Sequence, residues 1–396
     1  EYIGSTFYAQ GEGAARVVRS LEKLLKNGIL PERYDLTRTD LYPKPLAQSY
    51  WHLAVNVAGQ EFLRIGDVTG ADKPPAHILL NVPNSAVDGW NWSRDPRFAW
   101  MLKHVTGRKD QSDAEWTAIE AAAATVKRAP WLDLRSRQVY NWAGILETGL
   151  AHDDWRFRRA VYVRTGLGIG HEHGDSLDLQ VVAHGLPMTM DGGQRGGYST
   201  PGSGTTRVHN LVEVNGRGHA VQAWTRTLSD AAGARFMDLA GLPPNGARLY
   251  RRQVSLIDVD EGSGSRPLAI AEQQARTKLP VGVTTPNSYV FDVFRVSGGQ
   301  THTYCFHGPV CDELTVNGTG RRPVVRPVEG QTPDADQEYL RPFHAATDTW
   351  FAADAPATLE ATWRYTRTGG GSEGTMAGRN YDTNSPRKFT RLHLLD

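Results

Sequence analysis

RRAVYVRTG (158–166), SLDLQVVAHG (176–185), TRVHNLVEVNG (206–216), ARLYRRQVSLIDV (247–259) and SYVFDVFRVSGG (288–299) decide how this chain is read. Each segment is short, rich in β-branched and aromatic residues, patterned at a period near two, and closed by Gly, Asn or Asp. In succession they predict a large antiparallel β-sandwich. LPMTMDGG (186–193), HAVQAWTRTL (219–228), ATLEATWRYTR (357–367) and KFTRLHLL (388–395) extend the pattern, and the stretch 369–386 between the last two reads as a surface loop. No fixed-period internal repeat is present.

Upstream, the period changes. GAARVVRSLEKLLKNGI (13–29) places Ala14, Val17, Val18, Leu21, Leu24 and Leu25 on one helical face, and Asn27-Gly28 supplies the stop. Further helices are expected at 46–59, 98–107 and 113–128, joined by loops rich in Pro, Gly and Asp. The expected fold is therefore α+β and two-domain, helices over residues 1–131 and the sandwich over 132–396.

Charge and composition exclude several functions. Lys plus Arg number 44 against 43 Asp plus Glu, a net +1, so no global field draws the chain to nucleic acid or to an anionic membrane. A hydrophobic content of 39% suffices for real cores, yet no apolar run approaches a membrane span. Two cysteines, Cys305 and Cys311, exclude a thiolate zinc finger and a disulfide scaffold, leaving either two thiols or one local disulfide.

Five of the thirteen histidines, His171, His173, His184, His209 and His219, fall within one short stretch. If GIGHEHGDSLDLQ is extended, His171, His173 and Asp175 share one face. His173, Asp191 and His209 form an evenly spaced set of two imidazoles and a carboxylate, a donor set that suits Zn²⁺. From the residues alone, a metal site, satisfied structural histidines and a metal-free acid-base pair all stand open.

With these pieces on the page, the chain resembles the heparinase II/III-like polysaccharide lyases, including related alginate lyases. HEHGD (171–175), MTMDGG (188–193) and VHNLVEVNG (208–216) follow that family's His-x-His-x-Asp element, strand ending in Asp-Gly, and His-Asn pair. EYIGSTFYAQG (1–11) looks like its catalytic-tyrosine segment, FLRIGD (62–67) like its IGD loop, and FRVSGGQTHTYCFHG (294–308) like a sandwich motif. The resemblance implies an (α/α) toroid of helical hairpins before the sandwich, and β-elimination of a uronic-acid-containing glycan such as heparan sulfate or alginate. It implies one mainly structural Zn²⁺ on His173, Asp191 and His209, with Tyr8, His171 and Tyr198 catalytic. A periplasmic or secreted location follows, and a homodimer is allowed. Because the family's toroid begins upstream of the tyrosine segment, the chain is expected to be the C-terminal portion of a longer enzyme, with its missing helices on another chain as one option.

Weaker candidates keep two readings each. Arg64, with Glu61 and Asp67, either binds sugar or shapes a turn. Trp90 and Trp92 either stack on sugar or anchor the core, and His307, like His302, either edges the cleft or is structural. Arg321, Arg322 and Arg326 either meet an anionic glycan or form a solvated loop. A uronyl C5 epimerase and a non-catalytic, zinc-stabilised glycan-binding fragment are the competing functions.

Overall fold

Helix α1 (Glu12–Lys26) ends as its sequence predicts. Gly28 takes a φ of +67°, the Ile29 amide donates to the Leu24 carbonyl at 2.9 Å and the Gly28 amide to that of Leu25 at 2.9 Å, a Schellman stop. The computed structural model describes residues 12–35, 37–58, 61–63, 65, 83–108, 110–139, 142–149, 158–167, 173–183, 186–189, 206, 209–259, 287–308, 311–319, 324–326, 348–350, 358–365 and 389–394.

The helix expected over 46–59 is instead two short helices, α2 (Pro43–Ser49) and α3 (Trp51–Ala54), running into strand β1 (Asn56–Val57), which pairs antiparallel with β2 (Glu61–Phe62). Val55 and Val57, fully buried, are β-branched residues that tolerate the switch to extended backbone. Helix α4 (Pro83–Ser93) carries no strong periodicity and was not expected; its Pro, Asn and Gly weaken the local signal. Helix α5 (Pro96–Met101) is capped by Asp95, which accepts from the Arg97 amide at 2.9 Å, and passes into a π-helical turn (Leu102–Thr106). Helix α6 (Asp113–Ala123) is capped by Ser112, which accepts from the Glu115 amide at 3.2 Å.

Trp90 sits in the core of these helices with Leu53, Phe98, Met101, Ile119 and Trp131. It is 5% exposed and its Nε1 donates to Glu115 at 2.5 Å, so the stacking on sugar entertained for it has no open ring face. Trp92 is half-buried and donates to Glu22 of α1 at 3.2 Å, tying α4 to α1 beside the Arg19–Asp88 ion pair at 2.7 Å. No helix among the described residues is long and apolar enough to cross a membrane.

The sandwich follows. Strands β3 (Arg137–Val139), β4 (Ala143–Thr148), β5 (Arg159–Arg164), β6 (Leu179–Ala183) and β7 (Leu186–Pro187) form an antiparallel sheet in chain order. β8 (Val212–Val214) leads to β9 (Ala223–Ala231), β10 (Ala234–Gly241), β11 (Ala247–Val259) and β12 (Asn287–Gly298), the last four again antiparallel neighbours. β13 (His302–Tyr304) pairs with β8; β14 (Cys311–Thr319), β17 (Thr358–Tyr365) and β18 (Phe389–Leu394) make a three-stranded sheet, and β15 (Val324–Arg326) pairs with β16 (Asp348–Trp350).

The five-stranded sheet is buried on both faces. Ala143, Ile145, Ala160 and Tyr162 meet Val55, Val57, Leu63 and Ile65 of the helical part, while Leu146, Val161, Val163 and Leu179 meet Met237, Leu239, Val254 and Leu256 of the four-stranded sheet. A strand covered twice reads as an unbroken apolar run, which is why β4 shows no clean alternation. Polar bonds tie the helical part to this sheet. Arg137 donates to the carbonyls of Ala54 (2.9 Å) and Asn56 and to Glu147 (2.9 Å). Arg158, fully buried, donates to the other oxygen of Glu147 at 2.9 Å and to the carbonyls of Leu132 and Leu134.

Candidate functional site

The segment 173–178 is not the extended strand expected of it. His173 has a φ of +61° and Leu177 one of +68°, both left-handed, so the chain turns twice before entering β6. Alternation therefore does not place its side chains. Asp175 is 1% exposed and lies 3.5 Å from Arg164 of β5, so its carboxylate is turned to a guanidinium inside the sandwich. Gly174 has no room for a side chain: a Cβ there would come within 2.6 Å of the His219 carbonyl oxygen. The turn is thus pressed against the stretch that leads into β9.

His209 lies in the bend before β8. It is fully buried, His173 is 8% exposed, and the two rings face each other with centroids 5.8 Å apart and planes tilted by 41°. Two imidazoles on one tetrahedral ion, each with Zn–N of about 2.0–2.1 Å, put their centroids roughly 5 Å apart. The observed 5.8 Å is within about 1 Å of that spacing. The third expected ligand, Asp191, lies outside the described residues, as do Tyr8, Arg64, His171 and Tyr198.

A third imidazole joins them. The His219 amide donates to Thr206 Oγ1 at 2.7 Å, and that hydroxyl donates back to the His219 carbonyl at 3.1 Å. The Tyr250 hydroxyl donates to the Val212 carbonyl at 2.8 Å, so across the 3.0 Å contact with His219 it accepts, and Nε2 carries the imidazole proton. Burial, with His209 adding to it, pushes the His219 pKa down to about 4, and burial pushes the Tyr250 phenol far up. Both groups are neutral at pH 7.

Beneath the histidines is a buried polar hub. Asn210 donates its amide to Asp178 Oδ1 at 2.5 Å and its side-chain nitrogen to the Leu179 carbonyl at 3.0 Å, while its Oδ1 accepts from the His307 amide at 2.5 Å. The other oxygen of Asp178 accepts from Gln180 at 2.6 Å, and Gln180 in turn accepts from Thr189 at 2.8 Å. Arg252, fully buried on the inner face of β11, donates to the carbonyls of Leu177 (2.6 Å) and Asn210 and grips Asp292 with two bonds of 2.9 and 2.7 Å. Burial alone would lower its pKa, but Asp292 outweighs this and holds the guanidinium charged.

These contacts bring together three motifs far apart in sequence, the HEHGD turn, the His-Asn pair and the end of FRVSGGQTHTYCFHG, with Cys305 donating its amide to the Leu211 carbonyl at 2.8 Å. His307 is half-buried at this junction, and the Cys305 thiol lies 3.8 Å from the Thr303 carbonyl. Reasoning from sequence marked Asn210 only as part of the His-Asn pair and did not single out Asp178, Tyr250 or Arg252 as site-building residues. Arg252 was marked by a signal: it stands in phase with Tyr250, Val254 and Leu256, a charge on the buried face of a strand.

The chain is similar in structure to heparinase III. One solved heparinase III superposes with a TM-score of 0.41 at 9% identity, covering 98% of this chain and 59% of that one. The heparan sulfate lyase HepC from Pedobacter heparinus gives a TM-score of 0.39 at 9% identity, covering 80% of this chain and 54% of that one. A second heparinase III structure gives 0.38 at 9% identity, with 100% and 59% covered. The chain thus spans less than two thirds of the length of these proteins. No family model and no curated protein matches it.

Proposed function

We propose that the protein is a polysaccharide lyase that cleaves a uronic-acid-containing glycan by β-elimination, its helices being part of an (α/α) toroid. The observation that carries this reading is the meeting of His173 with His209: the two imidazoles that the motif pairs across a long stretch of sequence are buried ring to ring. Beta-elimination asks for removal of the C5 proton, neutralisation of the uronate carboxylate as it becomes enolate-like, and protonation of the departing O4. In this reading Tyr8 donates to the leaving oxygen and takes the C5 proton of one epimer, and His171 serves the other face. Tyr198 and the half-buried His307 border the scissile bond and the cleft, and Arg64 and Trp92 contact sugar.

His173, Asp191 and His209 would hold Zn²⁺, which when bound fixes the turns that form the cleft floor. Chelation is expected to lower the melting temperature, since ligation favours only the folded state; the stability lost is roughly 2.7 kcal/mol if the metal stands at a hundredfold excess over its Kd. Metal content per chain should fall from one to zero in His209→Ala. Unchanged melting and metal content after chelation would refute the zinc site.

The test of function is the ultraviolet absorbance of the unsaturated uronate on alginate, heparan sulfate, hyaluronan and chondroitin, using the longest form of the protein that expresses. A rise on one glycan is the expected result. Unchanged chain length with inverted uronate would make it a C5 epimerase, and binding with no chemistry a glycan-binding module.

A further inference from the structure

The outward face of the four-stranded sheet, opposite the one that supports the histidines, is unusual in both charge and apolarity. Cross-strand register places Tyr289, Phe291, Val293 and Arg295 of β12 beside Ile257, Ser255, Gln253 and Arg251 of β11, then Ala234, Phe236, Asp238 and Ala240 of β10, with Trp224 of β9 opposite Ala240. Tyr289 is 50%, Phe291 52% and Trp224 43% exposed. Arg251 lies directly opposite Arg295, a like-charge pairing that costs stability in a sheet. The carboxylate of Asp238 takes both bonds of Arg251 at 2.7 Å and is 3.6 Å from Arg226, so two guanidinium groups share one carboxylate. Arg295 is exposed and has no carboxylate at ion-pair distance among the described residues.

We infer that this face binds an anionic polysaccharide at a site separate from the histidine cleft. Guanidinium forks match carboxylate and sulfate groups, and exposed aromatic rings cover the apolar side of a pyranose. From Tyr289 to Arg295 the strand rises about 3.4 Å per residue, so rings and cations line roughly 20 Å of one edge strand, the length of an extended oligosaccharide. The excess of positive charge here, on a chain close to neutral overall, selects an acidic polymer over a neutral one. The repulsion between Arg251 and Arg295 is relieved when such a polymer is bound. The choice of a glycan as occupant rests on the lyase reading.

The experiment measures binding of long-chain heparan sulfate, with dextran as the neutral control, to the whole protein and to Tyr289→Ser/Phe291→Ser and Arg295→Gln. All three substitutions lie on exposed positions, so melting temperature should hold. Each variant should bind heparan sulfate about tenfold more weakly, the weight of one or two well-placed contacts, and Arg295→Gln should also show a shallower salt dependence. Wild-type affinity in both variants would overturn the inference. So would a wild-type dimer that the aromatic variant dissociates while glycan affinity holds, because a second copy would then be the occupant. If no glycan yields unsaturated uronate yet the variants lose binding, the lyase reading fails and the surface stands. Turnover together with unaltered binding in the variants gives the reverse.

Discussion

Arg252→Met should destabilise the protein by about 3–5 kcal/mol, the usual cost of removing one partner of a buried ion pair. The guanidinium is fully buried and holds both oxygens of the half-buried Asp292, which the substitution would leave, among the described residues, with only the Tyr304 hydroxyl at 3.5 Å. It also bonds the carbonyls of Leu177, in the turn after HEHGD, and Asn210, beside His209; the Asn210 carbonyl keeps the Leu179 amide at 3.2 Å, while the Leu177 carbonyl left bare costs about 1–3 kcal/mol. The loss therefore reaches the histidines as well as the sandwich core. Urea denaturation gives the number. Arg252→Met/Asp292→Leu should recover part of the loss, because an apolar pair replaces two charges but leaves the Leu177 carbonyl without its guanidinium donor. A double variant less stable than the single one would show that stranded charge is not the main cost.

Tyr8→Phe should lower elimination by roughly 10²–10⁴-fold, the range for losing a positioned proton donor or acceptor, with folding intact. The C5 proton is weakly acidic and O4 is a poor leaving group unless protonated, so, in the role proposed for Tyr8, a missing hydroxyl takes away both proton transfers for one epimer. The substitution removes one oxygen and leaves ring packing in place, so melting should stay within a degree or two of wild type. Turnover near normal would remove Tyr8 from the mechanism. A fall in both turnover and melting temperature would mark Tyr8 as structural.

How legible each element was in the sequence depends on what stabilises it. Strand β11 and strand β12 were found almost to the residue, because each has one buried and one outward face and so alternates. Strand β4 has six consecutive buried residues and strand β10 three, Met237 to Leu239, so neither alternates cleanly and neither stood out as a separate segment. Helix α4 was missed since its stability comes from Trp90 in the helical core and from ties to α1, which are long-range contacts. The helix expected through 46–59 failed for the converse reason: Val55, Val57, Leu63 and Ile65 gain more by covering the sheet than by continuing a helical face.

The sequence by itself determined the order of helices before strands, the stop of α1 at Gly28, the near-neutral charge, and the residue types of the histidine set. Those properties are local or additive, so they survive in one dimension. Only the tertiary structure decided that His173 meets His209, that Asp175 turns to Arg164, that His219 is held neutral by burial, and that Arg252 fastens two turns to one strand. Each of these depends on which loops the sheets bring together, and that is set by the burial of apolar faces against one another rather than by spacing along the chain.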